Sequence, residues 1–214
     1  TAVRPDVVVA ECNGAVLEIP YEKLLVSVGR RAVTDGLGLE TLGVKLERGA
    51  ITVDRYMQTS VPGIYAIGDV NGVSMLAHTA AHEGVVAVDH ILGGREEMSY
   101  HAIPGIVYSN PEIASVGRTE QELQQGGAAY QVHRVPMTLS GRFVIENEQA
   151  NGICKILTDE SGVILGVHLL GNGSSEILVP AVMAVQCALK LSDLAKVVFP
   201  HPTVCEVLRL AALH

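Results

Sequence analysis

The chain has 214 residues, 48% of them hydrophobic, enough to bury the core of one large domain or two small ones. A net charge of −8, without a basic cluster or interleaved aromatics, argues against nucleic acid or an anionic membrane as partner. No apolar run approaches the roughly 20 residues that span a bilayer, and TAVRPDVVVA lacks the basic head of a signal segment, so a soluble, cytoplasmic protein is expected.

In chain order, VVVA and YEKLLVSVGR read as short strands separated by the turn residues Asn13 and Gly14, the tail of a larger sheet. After the glycine-rich connection from Asp35 to Gly38, GAITVDRYMQTSVPGIYAIGD supplies two or three more strands, with IYAIG the most buried. From Leu76 to Leu92, the residues Ala77, Ala80, Ala81, Val85, Val88, Ile91 and Leu92 recur at three- and four-residue steps and leave Glu83 and Asp89 on the other faces. This predicts an amphipathic helix ended by Gly93 and Gly94.

A second domain is expected from about residue 100, dividing the chain into 1–99 and 100–214. Its strands are IVYS, IASVG, AYQVHRVP, GICKILT and GVILGVHLLG, the last two joined through the turn residues DESG as an antiparallel hairpin. Thr119 with Glu122 has capping-box spacing and opens a short helix. Ser174 or Ser175 caps a later helix with Ile177, Ala181, Ala184, Val185, Ala188 and Leu189 inward, which Pro180 should kink or break. Ser192 caps a shorter one running to about Val198. Antiparallel strands followed by helices, without an internal repeat, predict an α+β unit. The four cysteines, Cys12, Cys154, Cys187 and Cys205, fit neither a disulfide framework nor a metal-ligand spacing and read as reduced, mostly buried thiols.

Two segments could carry chemistry. In TSVPGIYAIGDVNGVSMLAHTAAHEG an apolar strand ends in Gly68 and Asp69, and a loop then delivers a helix starting near Met75. Gly68 admits a ligand close to the backbone, Asp69 can accept hydrogen bonds from sugar or ribitol hydroxyls, and the free N–H groups of a helix start favour negative charge. Taken alone, Gly-Asp also reads as a simple turn with Asp69 as a cap. In PHPTVCEVLRLAALH, His201 and Glu206 are five residues apart across a turn leading into a helix. A neutral histidine can take or give a proton, and a carboxylate on its other ring nitrogen fixes its tautomer. The plainer alternative is a His-Pro turn with Glu206 favouring the helix N-terminus. Cys205, between them, carries no sign of the depressed pKa a nucleophile needs.

Read together, TSVPGIYAIGDV and MLAHTAAHEG (spanning 59–84) resemble the second flavin fingerprint of the pyridine-nucleotide disulfide oxidoreductases. LLVSVGRRAVTDGLGLE upstream is similar to the close of that family's nicotinamide domain, and YSNPEIASVGRTEQEL to the opening of its interface domain. GRFVIENEQANGICKIL, GVILGVHLLG and HPTVCE continue in the same order and look most like bacterial lipoamide dehydrogenases, although glutathione reductase shares the His-Pro-Thr turn. The resemblance implies an antiparallel-sheet dimerisation domain with helices, preceded by the C-terminal remnant of FAD- and NAD-binding α/β domains. It implies that Gly68, Asp69, Met75, Leu76, Ala77 and His78 lie at FAD, and that Ser27, Val28, Gly29 and Arg30 line NAD. It makes His201 an acid–base group serving the partner subunit of a homodimer, supported by Glu206, with Pro202 after a cis bond. The substrate implied is dihydrolipoamide on a lipoyl domain of a 2-oxoacid dehydrogenase or glycine cleavage complex. Phe199 departs from the family, which usually has another histidine there.

A complete member has two G-x-G-x-x-G turns and a C-x-x-x-x-C redox pair, and this sequence has neither; Gly171-Asn172-Gly173 comes closest, with Glu176 at the last glycine position. With TAVRPD lacking an initiating methionine, the expectation is a fragment of a longer enzyme that does not itself retain FAD. The alternative is a non-catalytic dimerisation module.

Overall fold

The computed structural model describes residues 2–148 and 151–214; Thr1, at the head of the opening segment, and Gln149 and Ala150, within GRFVIENEQANGICKIL, lie outside the described residues. The chain divides into two units, Thr1–Glu96 and Glu97–His214.

The first unit begins with β1 (Ala2–Val3), β2 (Val7–Cys12) and β3 (Ala15–Pro20), an antiparallel sheet in that order. Asn13 and Gly14 form its tight turn with φ of 51° and 79°, the left-handed pair that a two-residue hairpin needs. The second strand is therefore AVLEIP; YEKLLVSVGR, expected as a strand, has no regular structure. A strand requires a neighbour to complete its ladder, and none of the described strands pairs with that segment. After α1 (Leu39–Leu42), β4 (Leu46–Glu47) and β5 (Ala50–Ile51) form a small hairpin. Leu39, Val44, Ile51 and Ala66 make a small core beside them. IYAIG is not the buried strand expected: Tyr65 makes an isolated bridge with Gln58, and Ile67 is exposed.

The next helix, α2 (Ala77–Ile91), presents a different face from the one its apolar spacing predicts. Thr79, Glu83, Val86 and Ala87 are buried, whereas Val85, Val88, Ile91 and Leu92 are exposed. The one-turn 3-10 segment Gly68–Asn71 packs on the inner side and satisfies the Glu83 carboxylate there, which makes its burial tolerable.

The second unit is α+β, as expected. Strands β6 (Gly105–Val107), β7 (Ile113–Gly117), β8 (Gln131–Pro136), β9 (Ile153–Thr158) and β10 (Ile164–Leu170) form a five-stranded antiparallel sheet in the order β6-β7-β10-β9-β8. Asp159 accepts hydrogen bonds from the backbone amides of Ser161 and Val163 at 2.9 and 2.8 Å, fixing the β9–β10 turn. Between β7 and β8, α3 (Glu120–Gln125) is opened by the Thr119/Glu122 capping box. Between β8 and β9 lies α4 (Gly141–Glu146).

After β10 the expected helix is split into α5 (Ser174–Ile177) and α6 (Val179–Gln186), broken at Leu178 ahead of Pro180. The residue at its start is Gly173, in the left-handed conformation, and not a serine. Ile177, Ala181, Ala184 and Val185 are buried as the spacing predicts; Ala188 is exposed, beyond the helix end, with φ of 49°. The next helix, α7 (Leu191–Lys196), starts one residue before Ser192, and the Asp193 carboxylate, not the serine, accepts from the amide of Lys190. The last helix, α8 (Glu206–Ala212), packs on β8 and β9. Phe143, Met137, Val207 and Leu208 are fully buried in the resulting core. Among the cysteines only Cys154 is buried; Cys205 is half-buried, and Cys12 and Cys187 are exposed, so the expectation of mostly buried thiols does not hold.

Candidate active site

The strongest constellation lies in the second unit, on the nine residues between α7 and α8 and the first residue of α8. Leu208 and Val207 sink the start of α8 into the core, which places Glu206 at its first turn with a side chain only 15% exposed. The chain before it turns through a cis His201–Pro202 bond, and the Thr203 hydroxyl donates to the Pro200 carbonyl at 2.7 Å. That turn brings His201 Nδ1 to 2.8 Å from Glu206 Oε2 while the imidazole remains 78% exposed. An ionised carboxylate can only accept, so Nδ1 donates and the neutral ring keeps its Nε2 lone pair for an outside proton. The pair lines an open cleft of about 530 Å³ together with Leu139, Val198, Phe199 and Arg209.

Cys205 adjoins this pair, but burial pushes its thiol pKa up, and Cys154 in the core is pushed up to about 12. Neither thiol is poised as a thiolate. Among the described residues no group of histidines, cysteines and carboxylates is arranged to hold a metal ion.

The second constellation lies in the first unit. Gly68, with φ of 73°, opens the 3-10 turn; a Cβ there would stand 3.3 Å from that of Ala80 on α2. Its amide donates to Glu83 Oε2 at 2.6 Å, and Asn71 Nδ2 donates to the same oxygen at 3.0 Å. This leaves Asp69 on the outside with an exposed carboxylate. Leu76 is the N-terminal boundary of α2 without a side-chain cap, and the first turn, with Ala77 and His78, carries no acidic residue. Its amides therefore keep their preference for negative charge. Met75 lines a cleft of about 520 Å³ with Arg30, Arg31, Arg48, Asn71 and Val73. Ser27, Val28 and Gly29 lie in the exposed irregular segment before it. Arg30 Nη1 stands 3.9 Å from Asp69 Oδ2, an exposed and weak pairing.

Sequence reasoning missed Glu83, which it assigned to an outer face. Thr79, Glu83, Val86 and Ala87 do form a helical stripe, visible only when a carboxylate is admitted among buried residues. It also assigned nothing to Glu112, which accepts from both the amide and the hydroxyl of Ser175 at 3.0 and 2.9 Å and so completes the start of α5.

Residues 103–212 match the family model described as the pyridine nucleotide-disulphide oxidoreductase dimerisation domain, and residues 3–84 match that of pyridine nucleotide-disulphide oxidoreductase. The chain belongs to this family. Its relatives include the mitochondrial dihydrolipoyl dehydrogenase of Caenorhabditis elegans, 41% identical over 94% of this chain and 41% of that protein. Dihydrolipoyl dehydrogenase 3 of Pseudomonas putida is 38% identical over 94% of this chain and 43% of that protein. Among solved structures, LpdA of Mycobacterium tuberculosis superposes with a TM-score of 0.82 at 30% identity, covering 96% of this chain and 47% of LpdA. The HOCl-induced flavoprotein disulfide reductase RclA of Escherichia coli superposes with a TM-score of 0.83 at 27% identity, covering 98% of this chain and 48% of RclA. The chain thus spans less than half the length of these relatives.

Proposed function

We propose that this chain is the C-terminal part of a dihydrolipoyl dehydrogenase, a homodimeric flavoprotein that oxidises dihydrolipoamide with NAD. The observation carrying this reading is the His201–Glu206 pair, held at 2.8 Å with its ring open to an incoming group. FAD, held in part by Asp69 and the start of α2, would together with a redox disulfide supply the route by which the two electrons of the dithiol reach NAD. His201 Nε2 accepts the proton of the substrate thiol, so that a thiolate can attack a disulfide sulfur, and Glu206 holds the ring for that transfer.

The residues of the first unit fit part of a flavin site: an outward carboxylate at Asp69 and the uncapped start of α2 at Leu76, Ala77 and His78, whereas Gly68 serves the close packing of the turn on α2 and holds Asp69 from the inside. Arg30 and the segment Ser27, Val28 and Gly29 would line NAD. The 214 residues lack both glycine-rich turns, so this reading has the chain alone retaining little FAD. The exposed apolar Val197, Val198 and Leu139 around His201 support a subunit interface at that cleft. The partner molecule is dihydrolipoamide on the lipoyl domain of a 2-oxoacid dehydrogenase or glycine cleavage complex, and the location is the cytoplasm.

The test is a chimera in which this chain replaces the matching part of the Pseudomonas putida relative. It should bind FAD and oxidise dihydrolipoamide, and His201→Gln should lower turnover by about 10²- to 10⁴-fold, the worth of a positioned acid–base group. Full turnover in the His201→Gln chimera would refute the acid–base reading.

A further inference from the structure

The His201 turn runs along the protein surface, yet a buried side chain remote in sequence is tied to it. Ser140 has no exposed surface, and its Oγ donates to the Thr203 carbonyl at 2.9 Å. The same oxygen accepts from the Phe143 amide at 3.2 Å, so the hydroxyl is locked between the start of α4 and the turn. From Thr203 the linkage continues through its own hydroxyl to the Pro200 carbonyl at 2.7 Å, thereby bracketing His201 and Pro202. The segment around Ser140 also faces both sides of the turn: Leu139 lines the cleft that holds His201, and Arg142 and Glu146, paired with each other, line a second cleft with Pro202, Thr203 and Cys205.

We infer that Ser140 is a positioning residue for the acid–base pair, resting on the reading of His201 and Glu206 given above. It holds the Thr203 carbonyl so that the turn presents Nδ1 to Glu206 and keeps Nε2 outward. An exposed ring has little packing of its own, so the turn that carries it must be ordered from below, and a buried hydroxyl with a donor and an acceptor role is suited to that task.

The test uses the 214-residue chain with ¹⁵N-labelled histidine, reading the ring nitrogen shifts of His201 and the exchange rate of its Nδ1 proton. Ser140→Thr and Ser140→Val are matched in bulk and differ in the hydroxyl, which donates to Thr203 and accepts from Phe143, and Ser140→Ala removes that hydroxyl without adding bulk. Ser140→Thr should keep the His201 signature, whereas Ser140→Val and Ser140→Ala should speed exchange about fivefold, the scale of one lost hydrogen bond, with melting recorded on each to confirm folding. Identical His201 signatures in the Thr and Val variants, both folded, would overturn the inference. Failure of the acid–base reading shows separately, as turnover kept in the His201→Gln chimera.

Discussion

Glu83 lies one side of α2 inward and takes the amide of Gly68 at 2.6 Å, so the residue before Asp69 is committed to the protein's interior. The geometry of the outward carboxylate is thus set by a buried one. Glu83→Ala strands the donors of Gly68 and Asn71 in a buried place, which costs about 1–3 kcal/mol per unsatisfied group. Hydrogen exchange should show the Gly68 amide losing protection, with the second unit's sheet unaffected. Unchanged protection at Gly68 would mean that the Glu83 bond does not order the turn.

Glu206 acts on protons only through His201, so its removal should be milder than loss of the imidazole itself. In the chimera, Glu206→Gln should reduce turnover by roughly 10²-fold, the lower end of what acid–base assistance supplies, with the affinity for dihydrolipoamide little changed. A rise in KM alone would instead assign Glu206 to substrate binding.

Val198 is 93% exposed beside the His201 cleft, an apolar side chain that a subunit interface would cover. Light scattering on the chain should give twice 22.6 kDa, and Val198→Glu should shift that mass toward the monomer. A monomeric parent chain would contradict the dimer.

Two histidines give the second unit a pH dependence of defined sign. Burial lowers the pKa of His168, whose ring bonds the Arg118 carbonyl, and burial likewise lowers that of His133. Their neutral forms are favoured in the folded protein, so the unfolded chain takes up protons first as pH falls. Stability from this source is complete above the ordinary histidine value of about 6.5 and declines as pH drops below it. Glu120, held low by the Lys155 hydrogen bond, and Asp159, held low by the amide of Val163, add a second loss further down, below the ordinary carboxylate range. Melting curves at about pH 7.5 and about pH 5.5 check the first step, and His168→Gln should flatten it.

Phe143 is fully buried, and its ring sits so close to Gly171 that a Cβ on that glycine would be 2.9 Å from Cε2. Phe143→Ala should cost about 3–5 kcal/mol by denaturant melting, the cavity opening beside Gly171.

What the sequence disclosed depended on where each element's partners lie. The strands of the second unit were legible because all five pair with one another, so alternation along each matches a real inside and outside. YEKLLVSVGR has the composition of a strand but no described neighbour to form a ladder with, IYAIG has only the isolated bridge of Tyr65 to Gln58, and the apolar stripe of α2 at Val85, Val88 and Ile91 has no described cover. Local devices such as the Thr119/Glu122 box and the Asn13-Gly14 turn were readable within a few residues. The His201/Glu206 pair, five positions apart, also lies within local reach, although the six residues alone read equally as a plain turn and it was the family resemblance that singled the pair out. Ser140 bonds across 63 positions and Glu83 across 15, and no spacing rule reaches that far.

The thiols make the two units chemically addressable. Cys12 is exposed in the first unit and Cys187 in the second, while Cys154 is buried with its pKa pushed up to about 12 and Cys205 is half-buried and also raised. A maleimide pulse therefore tags one handle on each unit at once, and the later appearance of label on Cys154 times the opening of the second unit's core. A native chain thus already carries a clock for its own unfolding, without an introduced probe.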